Sequence, residues 1–95
     1  MDLLIWLEKW FSFMCDGDWE HLYGIKIDTL DNPGWVVSID ILDTPLEMKK
    51  FEKVSKYVDD SNWICCQVKD GKFDGSGDIS KLKEILEIFK KWAEN

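Results

Sequence analysis

Arginine is absent from this 95-residue chain, and histidine, proline and cysteine are scarce, with one, two and three residues. Without arginine, twelve lysines oppose nineteen acidic residues, and the net charge is −7. Because a phosphate backbone is bound by a basic patch, this balance argues against nucleic acid as a direct ligand. An acidic chain can instead bind a basic protein, although acidity also keeps a protein soluble without any partner.

The cysteines and the apolar runs exclude other classes of protein. Three cysteines, two of them adjacent at Cys65 and Cys66, form neither a disulfide framework nor a zinc-ligand spacing. The apolar run at 3–7 is interrupted by Glu8 and Lys9 and has no basic segment before it, unlike a signal peptide or a membrane span. We therefore expect a reduced, cytoplasmic protein without a membrane segment, a metal or a cofactor.

What the chain does contain is apolar and aromatic. Hydrophobic residues make up 45% of it and include six tryptophans, which is a globular rather than a disordered composition. Internal repeats and low-complexity segments are absent. A chain this short has no room for two cores, so residues 1–95 are predicted to form one domain.

Two amphipathic helices are predicted, one near each end of the chain. Apolar residues recur at helical spacing over 2–14, and Asp2 is a suitable N-cap. A second helix is predicted over 79–93, where the apolar stripe is continuous, and Asp78 or Ser80 can cap its start.

The residues between the helices alternate between apolar and polar in several short runs. Alternation over 22–29 and 35–42, with the turn sequence Asn32-Pro33-Gly34 between them, predicts an antiparallel hairpin. A clear strand follows at 63–69. Residues 46–58 fit a helix or a strand, and we favour a strand, which gives a second hairpin.

The glycine-rich segment 70–78 is interpreted as a loop. It has neither the Lys-Ser/Thr of a P-loop nor the spacing of a dinucleotide fingerprint, so it does not predict a nucleotide site. The order helix, four strands, helix predicts an α+β fold, with an antiparallel four-stranded sheet flanked by an N-terminal and a C-terminal helix.

Residues 15–21 contain the groups that chemistry could use. Cys15 and His21 could form a nucleophile pair, but no further element marks a catalytic site, and we predict that the chain is not an enzyme. Asp16, Asp18 and Glu20 have the first spacings of a calcium loop. The glycine and the bidentate glutamate that should follow are missing, so no metal site is predicted.

Two tryptophans do not fall clearly on an inward face. Trp19 follows an acidic turn, and Trp63 shares its side of a strand with Gln67 and Lys69. An exposed tryptophan beside carboxylates is typical of a protein interface. The alternative that both rings cover the edge of the sheet stays open.

A long ordered set of residues carries a family resemblance. It comprises Trp6, Trp10, Cys15-Asp16-Gly17-Asp18-Trp19-Glu20-His21, Tyr23-Gly24-Ile25, Thr29-Leu30-Asp31-Asn32-Pro33-Gly34-Trp35, Trp63, Cys66, Val68, Asp70-Gly71-Lys72-Phe73, Gly75, Gly77, Leu82, Ile85, Leu86, Phe89 and Trp92. With these residues the chain resembles the Immunity protein 53 family, small bacterial proteins encoded beside polymorphic toxins. It departs from the family pattern at Asp78-Ile79, where Gly-Pro is usual.

The resemblance implies that the protein binds and neutralises a cognate bacterial toxin by stoichiometric inhibition. A basic nuclease is our interpretation of the target, because acidic side chains could occupy the place of its nucleic acid. The alternative is a non-catalytic acidic protein-interaction or regulatory module unrelated to toxins. The residues predicted to bind the toxin are Asp16, Asp18, Trp19, Glu20, Asp31, Trp35 and Trp63, with Asp70 and Asp74 as outer candidates.

Overall fold

The computed structural model describes residues 2–95, which form three helices and five strands. The helices are α1 (Leu3–Met14), α2 (Trp19–Leu22) and α3 (Leu82–Glu94). The strands are β1 (Ile25–Leu30), β2 (Gly34–Asp40), β3 (Val54–Asp59), β4 (Asn62–Lys69) and β5 (Lys72–Gly77). All neighbouring strands are antiparallel, in the order β1-β2-β5-β4-β3. The α+β class and both terminal helices are confirmed, but the sheet has five strands and not the predicted four.

The missing strand is β5, which the sequence analysis assigned to a glycine-rich loop. Lys69 and Lys72 pair across the two-residue turn Asp70-Gly71, whose φ angles are 54° and 75°. Two consecutive positive φ angles belong to the hairpin turn that Asp-Gly favours, and its twist matches that of the flanking strands. The segment is therefore a tight hairpin, and β5 is the central strand of the sheet.

The glycines of β5 allow helix α3 to approach the sheet closely. A Cβ atom at Gly75 would overlap Cγ2 of Ile85, and a Cβ atom at Gly77 would lie 2.6 Å from Cβ of Lys81. No side chain fits at such distances, so the glycines that resembled a flexible loop are packing residues.

Residues 46–58 form a strand only in their last part. β3 begins at Val54, and turns occupy most of 42–48. The side chain of Thr44 makes local hydrogen bonds, donating to the Ile41 carbonyl and accepting from the Leu46 N–H, which favours the turn over an extended strand. The predicted hairpin with β4 is confirmed, with β3 starting later than expected.

The helix boundaries differ from prediction at two places. The predicted strand 22–29 is preceded by α2, so that β1 begins only at Ile25. Helix α3 begins at Leu82 with Lys81 as its N-cap, because Asp78 and Ser80 form a separate turn before it. The predicted cap at Asp2 is confirmed, since its carboxylate accepts the N–H groups of the first helical turn.

Helices α1 and α3 cover one face of the sheet, which we call the helix face. Phe89 of α3 lies at the centre of the core, with the aromatic rings of Trp6, Trp10, Phe73 and Trp92 within 6.2 Å of its own. The register places a second set of side chains on the opposite face, which we call the open face. It includes Val36, Ser38, Trp63, Cys65, Gln67 and Asp74.

No helix of the described residues packs on the open face, and its side chains are half-buried or exposed. By contrast, Val37, Ile39 and Phe73 on the helix face are fully buried. None of the described helices has the length and apolarity needed to cross a membrane.

The close approach of α3 predicts the effect of a single methyl group. We expect Gly75→Ala to destabilise the protein by about 1–3 kcal/mol, because the new Cβ forces Ile85 off the sheet, and to lower the melting temperature by roughly 5–15 °C. Gly24→Ala is the matched control, since a Cβ there meets no atom within 4 Å. Thermal melts followed by circular dichroism compare the two, and equal melting temperatures would contradict the packing argument.

Candidate functional site

The acidic loop after α1 is held in shape by two of its own carboxylates. Oδ1 of Asp16 accepts the N–H groups of Asp18 and Trp19 at 3.0 and 2.9 Å. The carboxylate of Glu20 accepts a hydrogen bond from the N–H of Asp16 at 3.0 Å and one from the N–H of Gly17 at 2.9 Å. Gly17 has a φ of 97°, which its lack of a side chain permits. These bonds close the turn that starts α2.

The same hydrogen bonds favour the charged form of both carboxylates. Bonds from the N–H groups of Trp19 and then Asp18 lower the pKa of Asp16. Bonds from backbone N–H groups, first that of Glu20 itself, lower the pKa of Glu20. Both groups therefore stay ionised at neutral pH while their oxygens hold the backbone. Asp18 lies between them, exposed, and within residues 2–95 its side chain caps no N–H group.

Trp19 is buried, and the prediction that its ring is exposed is wrong. Only 4% of the residue is accessible, and the ring packs edge-on against Trp10 and Phe11 of α1. Its Nε1–H donates to the carbonyl oxygen of Leu42 at 2.9 Å. The single turn of α2 directs the ring toward α1, whereas the sequence predicted only an acidic turn at this position.

Leu42 is the point where three acidic segments meet. Its carbonyl accepts from Trp19, and its side chain lies so close to Gly71 that a Cβ there would be 2.6 Å from Leu42 Cγ. The segment after it forms another local turn, in which the N–H of Asp43 donates to Oε1 of Glu47 at 2.7 Å. We call the surface around Leu42 the acidic end, and its carboxylates are Asp16, Asp18, Glu20, Asp43, Glu47 and Asp70.

The structure therefore brings together four of the nine predicted residues and adds two that sequence reasoning missed. Asp43 and Glu47 carry no sequence signal for this site, because they approach it only through the long-range bond between Trp19 and Leu42. Two apolar side chains accompany the carboxylates, Leu42 with 37% and Leu22 with 76% exposure. Lys72, beside the Asp70 turn, is paired with Asp40 at 2.6 Å.

Four predicted residues lie away from the acidic end. Asp31 and Trp35 are at the opposite end of the β1–β2 hairpin, about 17 Å away along a six-residue strand. Trp63 lies near that same far end, on the open face, and Asp74 lies in the middle of the open face between Ser38 and Gln67. The segment 16–35 is thus divided between two ends of the sheet and does not form one surface.

The two remaining predicted tryptophans are joined to the turn after β5. Trp35 points to the helix face, as alternation predicted, is half-buried, and its Nε1–H donates to the Ile79 carbonyl at 3.1 Å. The backbone N–H of Trp63 donates to Oδ2 of Asp78 at 2.8 Å. Both residues therefore have structural partners at this end of the sheet.

Asp78 is the most strongly bound carboxylate of the chain. It is 1% exposed and accepts hydrogen bonds from Trp63 N–H, from the N–H and hydroxyl of Ser80, and from the Lys81 ammonium at 2.7 Å. The Lys81 ammonium, with the Ser80 hydroxyl next, holds the pKa of Asp78 well below its usual range. This cluster fastens β4, β5 and the start of α3 together.

The thiols and the histidine show no arrangement for nucleophilic chemistry. Desolvation, followed by the charges of Glu20 and Asp16, raises the pKa of Cys15, whereas a reactive thiol needs a lowered one. Burial raises the pKa of Cys66 to about 12. His21 lies exposed on α2. Residues 2–95 contain no group of three His, Cys, Asp or Glu side chains placed to hold a metal ion.

These features define a small acidic α+β protein with carboxylates from three segments gathered at one end of its sheet. Residues 4–94 match the family model described as Immunity protein 53, and the chain belongs to that family. No curated protein and no solved structure matches the chain. Immunity protein families are generally non-catalytic, and membership implies a toxin as the binding partner.

The bond from Trp19 to Leu42 yields a stability prediction. Trp19→Phe keeps an aromatic ring against Trp10 and Phe11 but removes the donor to the Leu42 carbonyl, so we expect a loss of about 1 kcal/mol and a melting temperature lower by about 4–8 °C. Trp35→Phe, which removes a more exposed Nε1–H bond, is expected to cost less. A larger loss for Trp35→Phe in thermal melts would contradict this ranking.

The Asp78 cluster yields a pH prediction. Because the pKa of Asp78 is lower in the folded protein than its ordinary value of 3.8, its contribution is complete above that value and is lost as pH falls toward the folded pKa. We expect Asp78→Asn to lower the melting temperature at neutral pH by about 10 °C and to flatten its fall below about pH 4. Asp31→Asn is the control in melts across pH, and parallel curves for wild type and Asp78→Asn would refute the assignment.

Proposed function

We propose that this protein neutralises a cognate toxin by stoichiometric binding, and that the acidic end is the contact surface. The observation that carries the proposal is the convergence of six carboxylates from three segments around Leu42, in a member of an immunity protein family. The chain also has a net excess of seven negative charges. A basic surface of the toxin is the complementary partner.

The carboxylates and the apolar side chains have different roles in this proposal. Exposed charges of one sign attract a basic partner over several ångströms and raise the association rate. Leu42 and Leu22 supply apolar area, which slows dissociation once water has been excluded. Trp19 is a positioning residue, because its bond to Leu42 holds two of the acidic segments in place before binding.

A basic nuclease is the proposed class of toxin. The active site of a nuclease must accept phosphate groups and therefore presents lysine or arginine side chains. A surface with several ionised carboxylates at fixed positions can pair with those cations and exclude the nucleic acid. The hydrogen bonds to Asp16 and Glu20 support this role, because they fix the loop that presents Asp18.

Charge removal at the acidic end tests the proposal without disturbing the loops. The carboxylates of Asp16 and Glu20 hold backbone N–H groups, so the variant is the triple substitution Asp18→Asn, Asp43→Asn and Asp70→Asn. Asparagine tolerates the positive φ angles of Asp43 and Asp70. We expect association with the toxin to slow by about tenfold at low salt and to depend less on salt.

The partner used in this experiment is the product of the neighbouring gene. It is first co-expressed with this protein, and survival of the host cell is scored. Association is then measured by stopped flow at two salt concentrations. The matched control, Glu8→Gln with Glu84→Gln and Glu87→Gln, changes the net charge equally on exposed positions of α1 and α3. If both triple variants slow association equally, net charge acts alone and the acidic end is not the contact surface.

Other outcomes separate the remaining alternatives. Continued killing despite folded protein, with no complex formed, would contradict neutralisation of this toxin and favour the interaction module unrelated to toxins. A complex that is unaffected at the acidic end but weakened by Trp63→Ala or Asp74→Asn would move the contact to the open face.

A further inference from the structure

The two edge strands of the sheet differ in how well they are protected from pairing. In β3, the register between Tyr57 and Asp59 is broken by a bulge, and Lys56 points toward the helix face. Bulges and inward-pointing charges are the devices that prevent another strand from adding to an edge. Strand β1 at the other edge has a regular register, no proline and no charge on its helix face.

The free edge of β1 presents the backbone groups of alternate residues. Asp40 N–H donates to the Gly24 carbonyl at 3.1 Å, so the pairs that exchange hydrogen bonds with β2 include Lys26 and Asp28. The N–H and C=O groups of Ile25, Ile27 and Thr29 consequently point outward. The N–H of Thr29 has only the side chain of Asp28 as acceptor, at 2.8 Å, which agrees with its lack of a strand partner.

We propose that a second copy of this chain pairs with β1, antiparallel and with the two-fold axis at Ile27. In that register Ile27 of one copy faces Ile27 of the other and exchanges both backbone hydrogen bonds with it. Lys26 of each copy faces Asp28 of the other on the open face. Ile25 faces Thr29 of the other copy on the helix face. The strand is thus complementary to itself in charge and in apolar character.

The side chains near this edge support the choice of a second copy. Ile27 belongs to the helix face, yet 42% of it is exposed, because α1 does not extend over it. A groove of about 350 Å³ lies between α1 and the start of β1, lined by Leu7, Glu8, Phe11, Gly24 and Ile25. Thr29 of the second copy would arrive beside this groove. A partner strand whose charges do not oppose Lys26 and Asp28 in this order would lack the two reciprocal Lys–Asp pairs.

The proposed dimer goes beyond toxin binding and is compatible with it. An edge pair of six residues is small for a protein interface, so the assembly is expected to be a concentration-dependent monomer–dimer equilibrium. Antiparallel pairing of β1 places the two acidic ends at opposite ends of the joined sheet. Each copy would therefore keep its own surface for a toxin.

Charge exchange at two positions tests both the interface and the register. In the Lys26→Glu dimer, an acidic side chain at position 26 of each copy faces Asp28 of the other copy. In the Asp28→Lys dimer, a basic side chain at position 28 of each copy faces Lys26 of the other copy. We expect each single variant to raise the dissociation constant of the dimer by about tenfold or more in sedimentation experiments. An equimolar mixture of the two variants restores opposite charges at both contacts, so the mixture should dimerise as wild type does.

The mixture is decisive because misfolded single variants could not restore a dimer to each other. Lys56→Glu on β3 is the control and should leave the equilibrium unchanged. A wild-type chain that keeps its monomer mass of 11.2 kDa at every accessible concentration would overturn the proposal. So would a dimer that ignores both charge changes, or one that Lys56→Glu disrupts. If the wild type is monomeric and the β1 variants weaken toxin binding, the edge pairs with the toxin and the dimer is refuted.

Discussion

The close contact between helix α3 and strand β5 is the constraint on which the rest of the structure depends. β5 is the central strand, and its Gly75 leaves room for Ile85 directly against the sheet. Phe89, one turn later on α3, then reaches the middle of the helix face and packs against the rings of Trp6 and Trp10 of α1 and of Phe73 of β5. Asp78 fastens the start of this helix to the ends of β4 and β5. Because both long helices pack on one face, neither of them covers the open face.

The acidic end depends on this arrangement through Trp19. The ring of Trp19 is buried against α1, which is itself held by α3, and its N–H reaches Leu42 beyond the end of β2. A charged surface built from three separate segments would otherwise be disordered by mutual repulsion. Here the carboxylate oxygens of Asp16 and Glu20 accept hydrogen bonds from backbone N–H groups. The carboxylates of Asp18, Asp43 and Asp70 remain available to a partner. Loops that are already held in place lose less entropy on binding than mobile ones.

The sequence allowed the elements to be predicted wherever one periodicity dominated. Alternation from Trp35 onward identified β2, and the apolar stripe of α3 was correct, although the helix begins at Leu82 and not at residue 79. β5 was missed because its glycines resemble a flexible loop. They are present for packing, and Gly75 meets Ile85, which lies 10 residues ahead in the chain. The Asp70-Gly71 pair did contain the hairpin signal, but without apolar alternation on both sides it was not decisive. Four carboxylates of the acidic end were predicted, but Asp43 and Glu47 could not be, since they approach it only through the long-range bond between Trp19 and Leu42.

The family match indicates the class of partner, whereas the geometry of the structure indicates which surfaces can contact it. Membership of the Immunity protein 53 family gives a class of partner, but it assigns no surface. The structure removes Trp19 from the candidate contacts because its ring is enclosed, and it separates Asp31 and Trp35 from the acidic loop by the length of β1. What remains is a surface formed by carboxylates of three segments that meet at Leu42. In the proposed function, the protein must bind before its toxin acts, and electrostatic steering by the carboxylates raises the rate of encounter. Because buried Trp19 already holds the loops in place, they need not rearrange on binding.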